Sequence, residues 1–192
     1  MLHTIDAIVL SLQPHSDKAH LLHAYTRASG RVNYMVYGLG RKNTAGKYSP
    51  LSILQITADD KSVRTAQLTY VPATLTTDPY KRTVALFLSE VLYHVLRHPM
   101  NDEPMWDFIA QAIVELDRTD SPNDFHIQFL TAFAAKLGFA IPENHTLYTL
   151  HPTPSSRKTR QEALRALCTY MEEHVETWKT PKSLDVLIEV FD

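Results

Sequence analysis

The first 77 residues alternate apolar and polar side chains with a period of two. In "RVNYMVYG", Val32, Tyr34 and Val36 fall on one side while Asn33, Met35 and Tyr37 fall on the other, which predicts a half-buried strand. The stretches "TIDAIVLSL", "HLLHAYTR", "LSILQITA" and "VRTAQLTYVPATL" are rich in Ile, Val, Thr, Tyr and Leu and predict four more strands. Ser29-Gly30 fits a tight hairpin between the second and third strands, and Ala58-Asp59-Asp60-Lys61 a turn before the last. Five short strands is the count of a small Greek-key barrel of the OB type; a sandwich fragment or an SH3-like barrel fits the same pattern.

From "TTDPYKRTVALFLSEVLYHVLRH" onward the period becomes 3.6. Thr77 or Asp78 can cap, Pro79 suits a first turn, and Tyr80, Val84, Phe87, Leu88, Val91, Leu92 and Val95 make one apolar face. A second helix starts near Asn101 or Asp102. A third follows Ser121-Pro122 and ends at Gly138, a long one runs from about Arg157 to Trp178, and Pro181 opens a short last one. The chain therefore reads as α+β: a five-stranded OB-fold barrel over residues 1–77, then a helical domain over 78–192 with an irregular connector at about 140–156.

Charge changes this picture. The net charge of −2 hides an asymmetry, because residues 1–77 hold eight Lys/Arg against four Asp/Glu while the remainder holds 11 against 17. A polyanion-facing barrel and a helical part with a different task are expected. The single cysteine, Cys168, excludes an internal disulfide and a cysteine-rich zinc site, and fits a reducing compartment. The N-terminus reads as a strand and not as a signal peptide, and no run approaches a membrane span, so a cytoplasmic protein with no membrane contact is expected.

Three of the five glycines sit in "YGLGRKNTAGKYSP", interleaved with Arg41, Lys42 and Lys47. A phosphate-cradling loop would need four residues between its glycines and a hydroxyl after the lysine. Here five residues separate Gly40 from Gly46, and Tyr48 follows Lys47. Two readings remain open. A cationic loop beside Tyr34, Tyr37 and Tyr48 can follow phosphates and stack on bases, or it can be a solvated hairpin that discourages edge pairing. Arg27 and Arg31, which bracket the neighbouring hairpin turn, favour a binding surface.

These residues carry a family likeness. "AIVLSLQPHSDKAHLLHAYTRASGRVNYMVYGLGRKNTAGK" resembles the opening of the bacterial DNA-repair family RecO, in the form found in Bacteroides-like bacteria. "DPYKRTVALFLSEVLYHVLR", "FLTAFAAKLGF" and "SLDVLIEVFD" are similar to its helical part. The resemblance implies a non-enzymatic recombination mediator with no cofactor. Such a protein binds single- and double-stranded DNA, anneals complementary strands, and with RecR helps load RecA onto strands coated by the single-strand binding protein, whose C-terminal tail its helical domain holds. Many relatives carry a four-cysteine zinc module where this chain has only "AIPENHTLYTLHPTPSSRKTR", so no zinc is expected. Arg27, Arg31, Tyr37, Arg41, Lys42 and Lys47 are the DNA-binding candidates, with Tyr37 the stacking ring. Phe129, Phe133 and Lys136 are candidates for the tail site, with plain bundle core as the alternative for the two phenylalanines.

Other constellations are weaker. Glu90, His94 and His98 recur at i, i+4 and i+8, a spacing that can hold zinc or serve a metal-dependent hydrolase, although hydrogen-bonded structural roles fit their neighbours better. His15, His20 and His23 flank a turn. Cys168, between Leu164 and Met171, reads as core, and "MEEHVE" as a solvated helix face. The reading from another class is a protein-interaction scaffold whose OB-like barrel ignores DNA.

Overall fold

The structure is a computed structural model describing residues 1–39, 45–142 and 156–190. Five strands, β1 (His3–Ser16), β2 (Ala19–Thr26), β3 (Gly30–Tyr37), β4 (Ile53–Ala58) and β5 (Val63–Leu68), pair antiparallel in the order β3-β2-β1-β4-β5. The sheet curls until its edges meet: the Met35 amide donates to the Lys61 carbonyl at 2.8 Å, beside a parallel bridge between Met35 and Ser62. β3 thus closes on β5, which is the OB topology expected from the strand count. A 3-10 turn, Ala45–Tyr48, precedes β4.

β1 explains why "AIVL" does not alternate in hydrophobicity. Its N-terminal half pairs with β4 and its C-terminal half with β2, with register shifts after Val9 and Pro14. Ala7 and Val9 point into the barrel with Leu22, Ala24, Tyr34, Val36, Tyr48, Leu54 and Ile56, whereas Ile8 and Leu10 join Tyr25, Leu51 and Ile53 in the core built by the helices. A strand buried on both faces loses the period-2 signature.

The helices follow their caps. The Asp78 carboxylate accepts from the Tyr80 and Lys81 amides and starts α1 (Pro79–Val95); Asp102 accepts from the Met105 amide and starts α2 (Glu103–Arg118). α3 (Phe125–Lys136) ends before Gly138, whose φ of 91° supplies the left-handed residue that stops it. Ser156 and Thr159 form a capping box on α4 (Arg157–His174), and α5 (Leu184–Val190) closes the bundle. α4 is shorter than the expected run to Trp178. Val175 turns extended so that Trp178 can bury its ring and Thr177 can donate its hydroxyl to the Val95 carbonyl. β5 likewise stops at Leu68, because the chain beyond it is held elsewhere: the buried Asp117 carboxylate of α2 accepts from the Tyr70 hydroxyl and from the Ala73, Thr74 and Leu75 amides. Buried Lys81 donates to the Asp117 carbonyl and the Thr74 hydroxyl, completing a clamp on the barrel-to-helix connection.

The β2–β3 hairpin rests on the loop after α1. Gly30 has a φ of 62°, and a Cβ there would lie 2.4 Å from the Met100 carbonyl oxygen, so conformation and space both require glycine.

Candidate nucleic-acid interface

Because β3 pairs along its whole length with β2, its outward row is Arg31, Asn33, Met35 and Tyr37. Val32, Tyr34 and Val36 face the barrel interior, so Tyr34 is core; Tyr48, the other tyrosine of the loop, is buried beside it. Tyr37 is different: the residue is 60% exposed at the end of the row. The Gly38 amide donates to the Lys18 carbonyl, and Met35 bonds to Lys61, so the β1–β2 turn, the end of β3 and the β4–β5 turn share one end of the barrel. Lys18 and Lys61 are exposed there. The sequence shows both lysines as charge without placing them, although the first and last hairpin turns of an OB barrel lie at the same end. Arg64, nearby, is paired at 2.6 Å with Asp59. The Asp59 carboxyl is held well below its usual range by the Lys61 and Ser62 amides and by Arg64.

The other described cations of the barrel are engaged within the fold. Lys47 donates to the Ala66 carbonyl at 2.9 Å and lies 5.3 Å from the centre of the Tyr48 ring, tying the 3-10 turn to β5. Arg27 sits 3.2 Å from Asp107 and over Trp106, bracing the hairpin against α2. Arg31 stacks on Tyr93 at 4.2 Å and donates to the Tyr93 and Leu96 carbonyls, capping the C-terminal end of α1. Burial is the main influence lowering its pKa. Arg41 and Lys42 lie outside the described residues.

In the helical part, Phe129 and Phe133 are buried and stacked on each other, as bundle core. Phe108 stacks on Phe129 and is itself only partly buried, and the exposed Lys136 ammonium lies 5.9 Å from the Phe108 ring centre. The surface pair at this position is therefore Phe108 and Lys136. Glu90 accepts from the Lys182 and Ser183 amides and the Ser183 hydroxyl, so its carboxylate anchors the segment leading into α5, with His94 3.9 Å away. Cys168 is buried, and burial pushes its thiol up to about 12, which suits core and not nucleophilic chemistry. Among the described residues no three His, Cys, Asp or Glu side chains are grouped to hold a metal ion, and no helix is long and apolar enough to cross a membrane.

A closed five-stranded OB barrel with a helical bundle packed on its outer face defines the architecture. Residues 1–72 match the family described as Recombination protein O N terminal. The chain is 34% identical over 149 residues to the DNA repair protein RecO of Porphyromonas gingivalis, an alignment covering 71% of this chain and 60% of that protein's length. It is 28% identical to the RecO proteins of Phocaeicola vulgatus, over the full length of both, and Flavobacterium johnsoniae, over 96% and 97%. The chain belongs to the RecO family. The Phocaeicola alignment takes 240 positions against 192 residues here, so 48 or more of its positions have no counterpart in this chain.

Proposed function

We propose that this protein is a DNA-repair recombination mediator that binds single- and double-stranded DNA through its barrel, anneals complementary strands, and with RecR loads RecA onto strands coated by single-strand binding protein. The observation that carries the reading is the exposed Tyr37 ring flanked by Lys18 and Lys61 at one end of an OB barrel. OB barrels hold single strands with cations along the backbone and aromatic rings against the bases, the stacking contributing about 1–3 kcal/mol per base. Arg41 and Lys42 follow Tyr37 by only a few residues in sequence and extend the same positive stretch. Annealing follows because cations screen two phosphate backbones while the bases stay free to pair. No covalent step is involved, and no catalytic residue is assigned. The acidic tail of single-strand binding protein is assigned to the surface ring and cation, Phe108 and Lys136.

Fluorescence anisotropy of a labelled single strand, titrated at several salt concentrations, tests the proposal. Tyr37→Ala should weaken binding about 5- to 150-fold with an unchanged salt slope, as a lost stack does. Arg41→Ala with Lys42→Ala should flatten the slope by about 1.4. A folded protein that binds no DNA at low salt would sink the reading and leave the interaction scaffold in its place.

A further inference from the structure

At the opposite end of β3 from Tyr37, a cavity of about 470 Å³ is lined by Arg31, Asn33, Tyr93, His94, Arg97 and Lys179. Among the described residues, three formal cations and no carboxylate line it, although they come from three separate parts of the chain: the barrel, the end of α1 and the segment between α4 and α5. Arg97 and Lys179 are exposed. Arg97 donates to the His94 carbonyl, and Arg31 carries a buried Nε with no hydrogen-bond partner. Glu90, 3.9 Å from His94, is already engaged by the amides of Lys182 and Ser183 and the Ser183 hydroxyl. Burial is the main influence lowering the His94 pKa; Glu90 opposes it, and Lys179, Arg97 and Arg31 each lower it further.

We infer that this cavity is a phosphate site for the DNA backbone, the far terminus of a single-strand track that begins at Tyr37, Lys18 and Lys61. The inference rests on the DNA-binding reading above and names where the strand goes. Its warrant is the register of β3. Tyr37 and Asn33 belong to the same outward row, and that row ends at the cavity wall in Arg31. Six residues of strand span about 20 Å. An acidic protein segment fits less well, because such a segment needs an apolar socket for its anchoring side chains, and among the described residues the cavity offers only the Tyr93 ring, whose face Arg31 already covers.

The test uses the whole chain with Arg97→Ala and Lys179→Ala, two exposed positions, and oligothymidines of decreasing length. Melting temperature establishes that the variant is folded. At about 0.1 M salt the double variant should bind long oligomers about 25-fold more weakly, and its salt slope should fall by about 1.4, from about 0.7 counterion per lost contact. The difference should vanish for oligomers too short to reach from Tyr37 to the cavity. In the unsubstituted protein, the His94 ring titration followed by NMR should move upward when a long oligomer binds and stay fixed with a short one. Wild-type binding with an unchanged slope and length dependence in the variant would overturn the cavity site and leave DNA binding standing. No binding by the wild type would overturn both. Binding of an Asp-rich peptide that needs Arg97 and Lys179, with DNA affinity untouched, would give the cavity to a protein ligand instead.

Discussion

His126, on α3, is buried edge-on to Phe87, and burial, with Arg160 of α4 nearby, pushes its imidazole down to about 3. His23 and His94 move in the same direction, chiefly through burial. A folded-state pKa below the unfolded value means that the unfolded chain takes the proton first. The penalty is absent above about pH 6.5 and grows as pH falls below it. For His126 the loss should be about 1.4 kcal/mol per pH unit, continuing until the folded ring itself protonates. Urea midpoints should hold from pH 7.5 to about 6.5 and then drop steadily to pH 4.5, and His126→Leu should flatten that slope whatever it does to stability at pH 7.5. An equal slope in the variant would place the pH sensitivity elsewhere.

At the scale of elements, the joint between β5 and α1 is set by one side chain. Burial alone would raise the Asp117 pKa, but the Tyr70 hydroxyl and the three amides outweigh it and hold the carboxyl below its usual range. The clamp therefore stays charged from pH 7.5 to 4.5, where His126 acts, and its contribution is lost as pH falls below the ordinary carboxylate range. Asp117→Asn replaces an acceptor with a donor facing donors, and should cost about 2–4 kcal/mol in chemical denaturation. A loss below 0.5 kcal/mol would show that the connection holds without it. The elements themselves were legible in the sequence wherever the cause is local: Asp78, Asp102 and Gly138 mark helix ends by their own chemistry, and Val32, Tyr34 and Val36 show their shared face by spacing. The charges of the candidate site were not. Arg31 finds its partners at Tyr93 and Leu96, and Arg27 at Asp107, 62 to 80 residues away, so only the assembled fold tells a free cation from a committed one.

For the whole molecule, the decisive fact is that β1 belongs to two cores. Ile8 and Leu10 cannot leave the helices without displacing Ala7 and Val9 from the barrel, so barrel and bundle should unfold together. Tryptophan fluorescence reports only the helical part, through Trp106 and Trp178, while tyrosine absorbance also reports Tyr34 and Tyr48 of the barrel. The two melts should superimpose. Two separated transitions would mean that the barrel is an independent unit.

The contact at Gly30 bears on what happens when a nucleic acid lies across both parts. With no room for even a methyl group between the hairpin and the Met100 backbone, the barrel has no hinge at that edge. On the strand track proposed above, an oligonucleotide touching both ends of β3 would meet a fixed template, and the compliance needed to fit would come from the nucleic acid, whose sugar-phosphate chain would be drawn straight.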